Sequence, residues 1–265
     1  MREAERALRA WLAERGQVVV AFSGGLDSAL LASVAVEVLG RDAVVGVYVR
    51  HEALPPEDEA RAVAVAGEVG LRLDVQRVEL LPDPVFGENR PLRCLVCKRA
   101  MFSVAALRLA GEGVVVDGTL AEELAQGDRP GLRAASQLGV RHPLAEAGIT
   151  KAVARELARA RGLSVWSTPS GTCLATRFPV GTTLTPAGMG GVLAVERGAL
   201  ALGLRLVRAR ADGDGSLRLV VGTGELEAAA RHAEALREVA CGEGFTALRL
   251  DLTPHGGRCC GEEGA

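Results

Sequence analysis

The sequence predicts an α/β fold: a parallel sheet flanked by helices, followed by a smaller α+β domain. Three observations carry this expectation. Short apolar runs alternate with helical stretches through the first half. A glycine-rich turn stands where the first of those runs meets its helix. Near residues 165–180 the alternation gives way to a stretch rich in Pro, Gly, Ser and Thr. The expected division is residues 1–170 for the first domain and 171–254 for the second, which would serve substrate binding and oligomerisation. Residues 255–265 are expected to form a mobile tail.

Element by element, residues 2–15 place Leu8, Trp11 and Leu12 on one face of an amphipathic helix. Residues 17–22 form an apolar strand, and a helix over 28–39 follows the glycine turn. A second strand covers 43–49, a helix about 56–69, and a third strand 71–78. Pro82, Pro84 and Pro91 mark residues 79–93 as a loop. A helix over about 95–110 leads to the valine run 114–116, the fourth strand. In such sheets ligands bind at the carboxyl ends of the strands. Further on, Thr150 caps a helix over about 151–161, and Thr185-Pro186 opens another with a capping hydroxyl and Pro at the first helical position. Strands near 205–210 and 217–221, a helix over about 223–240 and a strand at 246–251 complete the second domain.

Composition limits the function classes. With 48% hydrophobic and 24% charged residues over 265 positions, the chain is globular rather than disordered. A net charge of −2 lacks the basic excess of a nucleic-acid partner, and aromatics at 3% leave no stacking platform for single strands. No apolar run reaches the roughly 18 residues of a membrane span. The charged start Met1-Arg2-Glu3-Ala4-Glu5-Arg6 lacks a signal-peptide core, so a cytoplasmic location is expected. Lys occurs only at Lys98 and Lys151 and Ile only at Ile149, a usage that reads as genomic base-composition bias. Six cysteines in a chain of this length suggest metal or catalytic chemistry rather than a disulfide scaffold.

The most informative stretch is Ser23-Gly24-Gly25-Leu26-Asp27-Ser28. Adjacent glycines let backbone N–H groups converge, and the helix start adds partial positive charge. Ser23 and Ser28 supply hydroxyl donors. Asp27 would repel a phosphate unless Mg²⁺ lay between them, which argues for a metal-bound nucleotide. The alternative is a plain glycine-rich turn with a capping serine. Neither G-x-x-x-x-G-K-[ST] nor G-x-G-x-x-G occurs. The stretch resembles the PP-loop of the ATP pyrophosphatase superfamily, with its adenine nucleotide alpha hydrolase-like fold. That resemblance implies that pyrophosphate is held here while a substrate oxygen attacks the α-phosphorus of ATP. Val116-Asp117-Gly118-Thr119 is similar to the segment lining the same nucleotide pocket, which puts Gly118 and Thr119 among the ATP-binding residues.

The cysteines add a second signal. Cys94-Leu95-Val96-Cys97 precedes Lys98 and Arg99, and Cys173 lies in a polar loop. Positive neighbours and a helix start favour thiolates. The C-x-x-C pair could be unligated, bound to zinc, or redox-active. With Cys173 it would make three ligands, leaving one iron of a [4Fe–4S] cluster open. Cys173 could also be a small buried apolar residue. Cys241, Cys259 and Cys260 are read as structural or incidental.

Three segments sharpen the resemblance: residues 127–135, 143–151, and Ser170-Gly171-Thr172-Cys173-Leu174-Ala175-Thr176-Arg177-Phe178-Pro179. They are similar to the LarE-type ATP-dependent sulfur transferases, which help make the nickel-pincer nucleotide cofactor of lactate racemase. The similarity extends over about residues 5–252. The ending His255-Gly256-Gly257-Arg258-Cys259-Cys260 departs from that family's usual one. The resemblance implies adenylation of a carboxylate of pyridinium-3,5-biscarboxylic acid mononucleotide and its conversion to a thiocarboxylate. Sulfur would come from Cys173 itself, which would end as dehydroalanine, or from a sulfide on an iron–sulfur cluster held by Cys94, Cys97 and Cys173. The C-x-x-C pair favours the cluster. Arg208 and Arg210 alternate along a strand and share one face. With Arg177, and Glu196 nearby, they form the expected seat of the substrate phosphate; the alternative for Arg208 and Arg210 is a solvated arginine face. A homo-oligomer acting on a small nucleotide substrate, with ATP and Mg²⁺, is the expectation. Three rivals are weaker. A tRNA thiolase should show a basic face and an RNA-binding appendage. An amidotransferase-like synthetase needs a glutaminase domain or ammonia donor, and a non-catalytic nucleotide-binding module would not need Asp27.

Overall fold

The computed structural model describes residues 1–109, 113–127, 129–169 and 171–253. The expected tail 255–265, with Cys259 and Cys260, lies outside the described residues, as do Asp128 and Ser170, which belong to two of the three family-like segments. The chain divides into two compact units. The first comprises residues 1–51, 56–80 and 92–171, and the second 52–55, 81–91 and 172–265.

In chain order the elements begin with α1 (Arg2–Ala13), β1 (Val18–Ala21), α2 (Leu26–Leu39), β2 (Val44–Arg50), α3 (Pro56–Glu68) and β3 (Arg72–Arg77). The second unit then contributes α4 (Pro84–Gly87), a single turn inside the expected loop. Asp83 caps it by accepting from the Val85 and Phe86 amides, and Pro84 starts it. Back in the first unit follow α5 (Arg93–Ala106), β4 (Val114–Val116), α6 (Ala121–Ala125), α7 (Pro130–Gln137), α8 (Pro143–Glu146) and α9 (Lys151–Ala160).

The four strands form a parallel sheet in the order β3-β2-β1-β4. The chain moves outward from β1 through β2 to β3 and then returns across the sheet to β4. Right-handed crossovers therefore put α2 and α3 on one face and α5 on the other. Both faces of the central strand are dry, because Val18, Val19 and Val20 are all fully buried. On the α5 side the core gathers Val19, Val45, Val47, Val49 and Val115 against Phe102, Ala105, Ala134 and Ala135. Reversal of strand order falls between β1 and β4, which opens the binding crevice of such sheets at their carboxyl ends.

The second unit continues with α10 (Pro186–Ala201), β5 (Val207–Ala211), β6 (Leu217–Val221), α11 (Leu226–Arg231), α12 (Ala233–Gly242) and β7 (Leu248–Leu250). Its sheet is mixed: β5 and β6 are antiparallel, β6 and β7 parallel, and β5 is an edge. The single helix expected over 223–240 is two. Gly224, at φ +87°, holds a turn that delays the start to Leu226, and the backbone leaves helical geometry at His232. Among the described residues no helix is long and apolar enough to cross a membrane.

Candidate functional site

At the carboxyl end of β1 the chain turns sharply into α2. Gly24 has φ +68°, and a Cβ there would stand 2.5 Å from the Ala62 Cα, so position and conformation both demand glycine. Gly25 is the N-cap, which leaves the first amides of α2 without helical partners and open to an anion. The two serines brace this loop against each other. The Ser23 amide donates to Ser28 Oγ at 3.3 Å, the hydroxyls lie 3.1 Å apart, Ser28 Oγ reaches the Gly25 carbonyl at 3.1 Å, and the Gly25 amide reaches Ser23 Oγ at 3.3 Å.

Asp27, in the first turn of α2, holds an ion pair with Lys151: Nζ donates to both carboxylate oxygens, at 2.9 and 2.7 Å. Lys151 opens α9 behind its Thr150 cap, and its amide donates to Glu122. The donor set suits Mg²⁺, which takes one or two carboxylates and completes its shell with phosphate oxygens and water. Each Asp27 oxygen keeps a second lone pair for that purpose.

The loop after β4 meets this turn. Gly118 passes so close to the start of α2 that a Cβ would lie 2.9 Å from the Ser28 amide nitrogen and 3.1 Å from the Asp27 Cβ. Asp117 is 7% exposed. Its Oδ1 accepts from His142 Nδ1 at 2.7 Å and from the Thr119 amide at 3.0 Å. Burial pushes the Asp117 carboxyl up. The His142 hydrogen bond, the charges of Lys98 and His142 and a hydrogen bond from the Thr119 side chain outweigh that, so the group stays below the usual carboxylate value. Since its pKa lies below the unfolded value of about 3.9, Asp117 contributes stability that is present above that pH and lost as pH falls through the folded value. Replacing Asp117 by Ala should cost about 1–3 kcal/mol at neutral pH, because it leaves the His142 ring nitrogen and the Thr119 amide without their buried acceptor. Urea unfolding checks this, and the gap to the unaltered protein should narrow at acid pH. Equal stability at pH 7 would contradict it.

Sequence reasoning gave no role to His142 or Lys151, and took Lys98 only as a positive neighbour of the cysteine pair. A signal was present: in a chain whose basic residues are otherwise arginine, the only two lysines stand in this unit, each acting on one of the two carboxylates.

Cys94 and Cys97 also belong to the first unit. The helix expected from 95 starts at Arg93, so Cys94 lies within α5 together with Cys97, three residues apart on one face. Cys94 is exposed and Cys97 half-buried, with its sulfur 3.6 Å from His51 Nε2. The pair suits two thiolate positions of a metal centre. Among the described residues, no three His, Cys, Asp or Glu side chains stand together as a group that could hold a metal ion.

The second unit carries the other candidates. Cys173, half-buried and without a disulfide, immediately precedes a short 3-10 helix, Leu174–Arg177. Arg177 is 5% exposed and Glu196 7%. The guanidinium donates to Glu196 through Nε at 2.7 Å and NH2 at 3.4 Å, and through NH1 to Thr172 and Thr176. On β5, inward Val207, Ala209 and Ala211 alternate with half-buried Arg208 and Arg210, which therefore share the opposite face. Cys241 is exposed near the end of α12.

Comparison with known proteins follows the same outline. The NAD synthase family model matches residues 1–83, which include the loop after β1. The pyridinium-3,5-bisthiocarboxylic acid mononucleotide synthase of Lactiplantibacillus plantarum is 35% identical over 212 residues, 78% of this chain and 75% of that protein. An uncharacterized protein of Synechocystis is 35% identical over 207 residues, 77% of this chain and 76% of its own length. A shorter match, 42% over 65 residues and 24% of each chain, joins it to the NH(3)-dependent NAD(+) synthetase of Pyrobaculum aerophilum.

Proposed function

The chain belongs to the family of the pyridinium-3,5-bisthiocarboxylic acid mononucleotide synthase, the LarE-type PP-loop sulfur transferases, and from that membership we propose the reaction it catalyses. It is an ATP-dependent sulfur transferase of nickel-pincer cofactor synthesis. A carboxylate oxygen of pyridinium-3,5-biscarboxylic acid mononucleotide attacks the α-phosphorus of ATP, and the bond to pyrophosphate breaks. A sulfur nucleophile then attacks the acyl carbon, and AMP leaves with the electron pair of the C–O bond. The observation that carries this reading is the loop between β1 and α2, with its converging amides and the Asp27–Lys151 pair, at the reversal of strand order.

Each residue has a stated task. Gly24, Gly25, Ser23 and Ser28 shape the cradle for the phosphates. Asp27 holds Mg²⁺ on them, and Lys151 balances its charge. Gly118 and Thr119 line the nucleotide beside the loop. Cys173 is the sulfur-transfer cysteine. Arg208 and Arg210 seat the substrate phosphate with guanidinium forks. A [4Fe–4S] cluster on Cys94, Cys97 and Cys173 would supply an extra sulfide as the nucleophile; without it, the Cys173 thiolate is the nucleophile.

ATP–pyrophosphate exchange tests the reading. Exchange should require the pyridinium dicarboxylate mononucleotide. Exchange that instead requires tRNA would identify a tRNA thiolase, and none with either would leave a nucleotide-binding module. In the same assay Arg208→Ala should raise the KM for the mononucleotide by roughly 10- to 100-fold, the loss of one charge-assisted hydrogen bond. The KM for ATP should not change, because ground-state binding of the other substrate is lost. Equal effects on both would remove Arg208 from the phosphate seat.

A further inference from the structure

We infer that the buried Arg177–Glu196 pair does not touch the substrate but is the frame that sets Cys173 relative to the Arg208/Arg210 strand. The inference rests on the reading above, in which Cys173 handles the sulfur and Arg208 and Arg210 hold the phosphate.

The geometry is specific. Four of the five N–H groups of Arg177 are engaged within the protein. Nε and NH2 are given to Glu196, and NH1 reaches Thr172 Oγ1 at 2.5 Å and Thr176 Oγ1 at 2.8 Å. Those threonines stand on either side of Cys173 in sequence. Thr176 returns to Cys173 itself: its hydroxyl donates to the Cys173 carbonyl at 2.8 Å and its amide to the same oxygen at 3.1 Å. One guanidinium thus holds both ends of the turn that presents the thiol, while the Leu174 amide pins the turn to the Ala53 carbonyl at 2.8 Å.

Glu196 carries the connection onward. Its Oε1, which accepts from Arg177 Nε, also accepts from the Ala209 amide at 3.0 Å. Ala209 lies between Arg208 and Arg210 on the edge strand β5, where outward amides have no neighbouring strand to pair with. A single carboxylate oxygen therefore joins the cysteine turn to the strand of the phosphate-binding arginines. Apolar residues of similar volume often stabilise a fold as well as a buried ion pair does, so what the pair adds here is geometry. Arg177 and Glu196 are positioning residues. A phosphate would find the Arg177 charge already neutralised and its side chain enclosed.

The test separates positioning from binding. Arg177→Lys keeps the charge beside Glu196 but loses the fork to the two threonines. It should lower the rate of thiocarboxylate formation by about 10²-fold, as expected for an attacking group displaced by about 1 Å. The KM for the mononucleotide and the rate of ATP–pyrophosphate exchange should stay within about twofold, because neither depends on the sulfur. Alkylation of Cys173 by iodoacetamide, followed by peptide mass spectrometry, should change rate in the same variant. Thr176→Val, nearly isosteric and leaving both charges of the ion pair in place, should reproduce the effect on sulfur transfer and alkylation even if Arg177→Lys fails to fold. A KM increase like that of Arg208→Ala would place Arg177 in the phosphate seat and overturn the inference. Unchanged sulfur transfer in both variants would also overturn it. Failure of the underlying reading looks different: the unaltered protein would then show no exchange dependent on the mononucleotide, while the alkylation result would still report on the turn.

Discussion

Asp27→Asn is expected to abolish pyrophosphate release while leaving the protein folded. The carboxylate sits among amides and a helix start that attract anions, so its charge has no use against phosphate except through a cation. Asparagine keeps the volume and one oxygen acceptor but loses the charge proposed to hold Mg²⁺. Loss of the Mg²⁺ that Asp27 would hold takes away several kcal/mol of transition-state stabilisation, about 10³-fold or more in rate. The fold should survive, because the Asp27–Lys151 pair is about a quarter exposed on each side and such pairs are worth about 1 kcal/mol or less. Circular dichroism and urea unfolding check the second claim, and pyrophosphate release at saturating ATP checks the first. Release at the unaltered rate would remove Asp27 from the metal role. A loss repaired by adding Lys151→Met would show instead that an unpaired lysine charge had been the fault.

The parallel sheet was legible because β1, β2 and β4 are largely apolar runs, while the edge strand β3 shows itself by alternating polar and apolar residues. Val18, Val19 and Val20, or Val114, Val115 and Val116, have no other stable place than between two layers of helices. The glycine loop was legible for a related reason: close backbone approach and positive φ leave a chemical mark in the residue type, as at Gly24 against Ala62. Residues 119–147 were harder. Helices α6, α7 and α8 have only five, eight and four residues, too short for a period to show, although Pro130 and Pro143 mark two of their starts.

Of the long-range partners only the rarity of lysine was legible, not which carboxylate each one meets. Lys151 lies 124 positions from Asp27, and His142 lies 25 from Asp117. Nothing local distinguishes a lysine that meets a carboxylate across the fold from one in solvent. Arg177 illustrates the converse. Its residue type suggested a phosphate ligand, and only its burial and its bonds to Glu196, Thr172 and Thr176 show that its donors are committed elsewhere. Arginine chemistry is the same in both roles, so the decision belongs to packing.

Replacement of Cys173 by Ser should abolish thiocarboxylate formation while leaving ATP–pyrophosphate exchange intact, since adenylation uses no sulfur and the hydroxyl is a far weaker nucleophile than a thiolate. The fate of the cysteine then decides where the sulfur comes from. If Cys94, Cys97 and Cys173 ligate one cluster, protein purified anaerobically should be brown and carry about four irons per chain. Replacing any one of the three should remove most of that iron, because each supplies a thiolate that the others cannot replace. If Cys173 is consumed instead, the anaerobic protein should be iron-free, and one turnover should reduce its mass by about 34 Da, the loss of H₂S that turns cysteine into dehydroalanine. The outcomes exclude each other at Cys173, because a residue consumed in the reaction cannot remain a ligand. Two thiols three residues apart on one face of α5 have no task in the sacrificial route, which favours the cluster. Zinc on Cys94 and Cys97, with Cys173 unaltered after turnover and dispensable for sulfur transfer, would refute both routes.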